Sequence, residues 1–301
     1  AENANIGIYS NGGKPANFHV TDVCDGWAQG HDGMNYILAS REVIADMVEI
    51  HASASKWDGL ILISSCDKAI PAHLRVAARL DLPTIFIPGG SMRPGPNMTD
   101  SGKGGEVSLR EKQGNITSRE VLDYKLTGCP TCGACQFMGT ASTMQIMAEA
   151  LGLMIPGSAL MPATSHELKD MAHKAGMLAV ELAKKGMKAS DIVTKRSFEN
   201  AIMVHAAISG STNSLLHLPS IAKEFGIQLE ADDFDRIHRN AHYLLDIRPA
   251  GKWPAQFFYY AGGVPRVMEE IRSMLYLDEK TVTGKTIGEN LDDLKASGFY
   301  E

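Results

Sequence analysis

Residues 59–71, Gly59-Leu60-Ile61-Leu62-Ile63-Ser64-Ser65-Cys66-Asp67-Lys68-Ala69-Ile70-Pro71, constrain the fold more than any other stretch of the chain. The apolar run from Gly59 to Ile63 reads as a fully buried strand. Two serines break it, and Pro71, a good first residue for a helix, opens the amphipathic segment 72–80. Strand, short polar loop and helix place Cys66, Asp67 and Lys68 at the carboxyl end of a strand, where open α/β sheets bind ligands. A thiol, a carboxylate and an amine in succession make poor packing. They make a good metal site.

Composition narrows the class. With 301 residues, 44% hydrophobic and 21% charged, the chain can bury a sizeable core. A net charge of -6 and a pI near 5.9 argue against nucleic acid or an anionic membrane as partner. No apolar run approaches a membrane span, and no secretory leader is visible. Five cysteines, an odd number, fit a reducing compartment better than a disulfide scaffold. The expectation is a cytoplasmic α/β protein. A chain starting at Ala1 and stopping at Glu301 is expected to be processed, truncated or part of something longer.

Along the chain, residues 5–10 read as a short strand and 18–20 as a second extended stretch. The loop 24–34 has three glycines in close succession, Gly26, Gly30 and Gly33, spacing that lets backbone approach a ligand. Ser40 is expected to cap a helix over 41–52. Residues 83–88 read as another buried strand, 93–117 as a long mobile loop, and 118–126 and 145–151 as helices. Downstream the pattern is mostly helical, over 167–185, 198–208, 213–225 and 266–275. The small-residue loop Ser209-Gly210-Ser211-Thr212-Asn213 opens one of these helices, a geometry that offers free N–H groups to an anion.

Cys129, Cys132 and Cys135 form C-x2-C-x2-C, which lacks the fourth cysteine of a ferredoxin run. The three with Cys24 or Cys66 could supply the four ligands of a structural zinc site; otherwise one or two are small buried hydrophobes, and at least one of the three is read as a ligand. Cys24-Asp25-Gly26 and Cys66-Asp67-Lys68 share a pattern, each in a loop after a strand-like run. Soft thiolates suit an iron–sulfur cluster or zinc, and hard carboxylates suit magnesium. Of the ten histidines, His31, His73, His205 and His217 are set aside as ordinary surface or core residues.

Several segments, taken in order, resemble a known family. They are Cys24-Asp25-Gly26 with Gln29-Gly30 and Asp32-Gly33-Met34; Ser40 to Ala45; Cys66-Asp67-Lys68 with Pro71; Gly133-Ala134-Cys135 with Gly139-Thr140-Ala141; and Gly210 to Asn213. Together they resemble the iron–sulfur dehydratases that include dihydroxy-acid, 6-phosphogluconate and sugar-acid (aldonate) dehydratases. Residues 133–141 and Ala159-Leu160-Met161-Pro162 look closest to the sugar-acid, xylonate-type branch.

The resemblance implies a three-layer α/β/α sandwich with a mostly parallel sheet and then a helix-rich part. Residues 1–301 would form the cluster- and magnesium-binding N-terminal domain, and the family's C-terminal β domain, with its catalytic serine, lies outside the chain. It further implies an iron–sulfur cluster (2Fe-2S or 4Fe-4S) on Cys24, Cys66 and Cys135, and magnesium on Asp25 and Asp67. Lys68, carboxylated in some members, would be a further ligand and catalytic residue. Cys129 and Cys132 match no family ligand, and the cluster type stays open. The implied function is that of a hydro-lyase converting an aldonate such as xylonate to a 2-keto-3-deoxy acid, in a homo-oligomer (dimer or tetramer). Alternatives are a 6-phosphogluconate or branched-chain dihydroxy-acid dehydratase, or a non-catalytic metal-binding fragment. The 301 residues alone are expected to be inactive.

Overall fold

β1 (Leu60–Ser64) and β2 (Thr84–Pro88) pair in parallel, with Leu60 opposite Thr84 and Ser64 opposite Pro88, in the computed structural model, which describes residues 1–301. Parallel neighbours need a long crossover. Here the helix Ala69–Leu80 supplies it, with Pro71 in its first turn. Strand, loop and helix therefore lie where residues 59–80 indicate. β2 is buried throughout, whereas β1 alternates, with Ile63 38% exposed. The expected α/β class with a parallel sheet is present, built on two strands and many helices.

Residues 5–10 are not a strand. They belong to the helix Glu2–Ser10, which packs along the helix His166–Lys185 through two glycines. A Cβ on Gly7 would lie 2.0 Å from the His173 carbonyl oxygen, and one on Gly176 would lie 2.1 Å from that of Ala4. Removing both side chains lets the backbones nearly touch, and that contact overrides the strand-like run Ile6-Gly7-Ile8. Residues 18–20 form no strand either.

Ser40 does not cap a helix. The helix runs from Ile37 to Ser55, and the Ser40 hydroxyl donates to the Ile37 carbonyl within it. Nor is 93–117 a bare loop, because the helix Gly104–Lys112 forms inside it. Its sequence Gly104-Gly105-Glu106-Val107 gave no apolar stripe to read. Thr117 and Glu120 then close a capping box on the helix Ser118–Thr127.

The core is one cluster of 57 buried apolar residues. At its centre stands the helix Thr140–Ala150, every residue of which is buried. Its one acid, Glu149, accepts the Gly157 and Ala159 N–H groups at 2.7 Å each, so its charge-bearing oxygens are not orphaned. No helix of the chain is long and apolar enough to cross a membrane.

Candidate metal centre

The site is built outward from the carboxyl end of β1. After Ser64 the chain turns through Ser65 and delivers Cys66, half-buried, then Asp67 and Lys68, 3% and 7% exposed, before the helix 69–80 begins. Lys68 Nζ donates to Asp67 Oδ2 at 2.7 Å. Asp67 Oδ1 is buried with no partner. Burial pushes the Asp67 carboxyl up to about 6, Lys68 pulls against that shift, and the neighbouring Asp25 carboxyl adds to it.

The second cysteine loop is tied to the sheet by backbone. Ser91, just past β2, bridges to Ala134: Ala134 N–H donates to the Gly90 carbonyl and Met92 N–H to the Ala134 carbonyl, both at 2.8 Å. Gly133 makes this possible. Its φ is +119°, and a Cβ there would sit 2.5 Å from the Ser91 carbonyl carbon. Cys135 follows one residue after the bridge and so arrives at the same end of the sheet. Cys24 comes from an exposed loop, at the start of the short helix Asp25–Ala28.

The three loops share one electrostatic neighbourhood. Burial raises the Cys66 thiol, and the charges of Asp22, Asp67 and Cys24 raise it further. Burial also raises Cys135; a Ser101 hydrogen bond opposes this, while Cys24, Asp25 and Cys129 reinforce it. Thiols and carboxyls that push one another's proton affinities up form a concentration of acidic donors with Lys68 as their cation. A bound cation would invert every one of those shifts. No three His, Cys, Asp or Glu side chains are gathered to metal-holding spacing. In donor chemistry the set fits a thiophilic iron centre beside a hard cation, and the unpartnered Asp67 Oδ1 is the kind of atom such a cation would satisfy.

Three residues outside the proposed ligand set stand in this neighbourhood. Asp22 raises Cys66, and burial raises its own carboxyl. Cys129 weighs on Cys135. His217, buried on the helix Ser214–Glu224, lies within the field of Lys68. Cys129 belongs to the C-x2-C-x2-C run, whereas Asp22 and His217 have no local signal, since the residues they face lie far along the chain. Cys132 is exposed, and His31 is spent on a turn, its ring accepting the Gly33 N–H at 3.0 Å. His73 lies deep on the helix 69–80.

The 209–213 loop is fastened to the helix 140–150 rather than left free. Ser211 N–H donates to Thr143 Oγ1 at 2.9 Å, and Asn213 Nδ2 donates to Thr140 Oγ1 at 2.8 Å. A cavity of about 800 Å³ lies elsewhere, between Phe18–Val20 and Leu60–Ile63, and no proposed ligand lines it.

A profile of the N-terminal part of the dihydroxy-acid/6-phosphogluconate dehydratases matches residues 1–290. The chain belongs to this family. Among family members, dihydroxy-acid dehydratase 1 of Methanosarcina acetivorans is 44% identical over 300 residues, 98% of this chain and 54% of its own length. The dihydroxy-acid dehydratase of Acetivibrio thermocellus is 42% identical over 304 residues, and that of Methanothrix thermoacetophila 46% over 299. The chain spans about half the length of these relatives.

These relatives overturn the expected sugar-acid branch. The residues that suggested it are structural. Gln136 is fully buried and donates to the Gly128 and Arg93 carbonyls. Ala159 serves Glu149, and the Leu160 carbonyl accepts from the Ser91 hydroxyl at 2.9 Å. Met138, Ala159, Leu160 and Met161 are all buried. Side chains spent on packing carry no information about a substrate.

Proposed function

We propose that residues 1–301 are the N-terminal, metal-carrying domain of a dihydroxy-acid dehydratase, a hydro-lyase that converts a 2,3-dihydroxy carboxylate to a 2-keto acid. This reading is supported by 42–46% identity over nearly the whole chain to proteins of that name, with Cys66, Asp67 and Lys68 delivered together at the carboxyl end of β1.

In this reading Cys24, Cys66 and Cys135 hold an iron–sulfur cluster, and Asp25 and Asp67 hold magnesium beside it, joined by Lys68 once its amine is carboxylated. When bound, these groups supply Lewis acidity to the hydroxyl that leaves and to the oxygens that gain charge as the C2 proton departs. The chain's own residues prepare that chemistry. Lys68 fixes the Asp67 rotamer through Oδ2 and leaves Oδ1 free. The bridge Ser91–Ala134 ties the Cys135 loop to the carboxyl end of β2. Thr140 and Thr143 hold the 209–213 loop against the helix 140–150. The net reaction loses the C2 proton and the C3 hydroxyl as water, and the enol becomes the ketone.

The test is a substrate panel on anaerobically reconstituted full-length protein. Formation of the 2-keto acid from 2,3-dihydroxyisovalerate, with aldonates and 6-phosphogluconate turned over far more slowly, supports the reading. Preference for either of the latter sinks it.

A further inference from the structure

His217 is fully buried on the helix Ser214–Glu224, one turn beyond the 209–213 loop. Arg41, 9% exposed on the helix Ile37–Ser55, sets Nη1 3.1 Å from His217 Nδ1. A guanidinium has donors only and keeps its proton. His217 Nδ1 must therefore accept, and the ring proton must sit on Nε2. Arg41 cannot easily turn away. Glu42 takes its Nε at 3.0 Å and its Nη2 at 2.8 Å, and Glu42 also pairs with Arg75.

The Nε2–H fixed in this way is buried and has no hydrogen-bond partner. Orphaned buried N–H groups are rare because each forfeits its bond to water. The positive charges near this ring are Arg41 and Lys68, and no carboxylate contacts its Nε2. A neutral donor on a ring backed by the Arg41 guanidinium suits an oxyanion, not a cation.

We propose that His217 Nε2–H, with its tautomer set by Arg41, is a substrate-binding donor that takes a carboxylate oxygen of the dihydroxy acid beside Lys68. This rests on the dehydratase reading above. It adds a binding residue that is neither a metal ligand nor a member of the small-residue loop.

The experiment uses the full-length, cluster-loaded enzyme with 2,3-dihydroxyisovalerate and separates the two readings by variant. Turnover by wild type tests the function; absence of turnover would remove that reading and this one together. Given turnover, His217→Leu is expected to raise KM at least tenfold with a smaller change in kcat, at unchanged iron and sulfide content. His217→Asn, which keeps an N–H donor and folds with less loss of packing, is expected to recover part of the effect. In 15N-histidine spectra, His217 should show protonated Nε2 and bare Nδ1 from pH 6 to 9, with the Nε2 proton shifting when dihydroxyisovalerate is added. A wild-type KM in His217→Leu would mean that the N–H meets a buried water only, and would overturn the proposal. A proton on Nδ1 would overturn it equally.

Discussion

Lys68 Nζ and Asp67 Oδ2 stand 2.7 Å apart in a nearly solvent-free pocket, and the other Asp67 oxygen has no partner at all. A buried pair held by one of two oxygens is an arrangement with a place left open. Breaking such a pair from one side costs ~3–5 kcal/mol because a charge is left buried alone. Asp67, already pushed up to about 6, can take a proton and limit the loss. Lys68→Met is therefore expected to destabilise the metal-free protein by ~3 kcal/mol at pH 7.5. The loss should shrink below pH 6 as Asp67 is neutralised. Urea denaturation at the two pH values checks this; a pH-independent cost would contradict the pairing.

Gly133 carries a second prediction. Its left-handed φ and the 2.5 Å approach to the Ser91 carbonyl carbon leave no room for a methyl group. Gly133→Ala must displace the Ser91–Ala134 bridge, at ~2 kcal/mol of stability. Cys135 would move with it. Iron and sulfide content after anaerobic reconstitution should fall well below wild type, while alkylation with iodoacetamide still finds Cys135 intact. Wild-type cluster content would show that the bridge does not set the cysteine.

His73 gives the chain an acid liability. The ring is buried against Phe86, its Nδ1 has no partner, and burial pushes its pKa down to about 4 from the usual 6.5. A depressed histidine pKa means that the unfolded chain takes up the proton first. The stability this neutral ring contributes is whole above pH 6.5 and is lost as pH falls through 4. That depression corresponds to ~3 kcal/mol. His73→Leu removes both the proton site and the orphaned nitrogen. It should match wild type at pH 7.5 and exceed it progressively below pH 6.5, as read from denaturation midpoints across that range. Parallel pH curves for the two proteins would contradict the assignment.

What was legible in the sequence was local. The run Leu60 to Ile63 and the apolar spacing of 72–80 determine strand and helix by near neighbours, and the reactive triplet between them lands at the strand end as expected. The helix His166–Lys185 shows the same directness, lying where the amphipathic spacing of 167–185 indicates. What was missed depends on distant partners. Ile6-Gly7-Ile8 looks strand-like until Gly7 meets the His173 carbonyl across 166 positions of chain. Gln136 and Leu160 resembled substrate-branch markers because nothing nearby reveals that Gly128, Arg93 and Ser91 occupy them. His217 read as an ordinary helical histidine because the arginine that fixes its tautomer lies 176 residues away. Family resemblance named Cys24, Cys66 and Cys135. Spacing alone gave no reason to prefer Cys135 over Cys129 or Cys132.

The most direct measurement is the iron and sulfide content, with the visible absorption, of full-length protein purified anaerobically as single Cys→Ala variants. Cys24→Ala, Cys66→Ala and Cys135→Ala are each expected to lose the brown chromophore and most of the iron. Cys132→Ala, which alters only an exposed thiol, is expected to keep both. A wild-type cluster in any of the first three, or its loss in Cys132→Ala, would contradict convergence of those three loops on one inorganic centre.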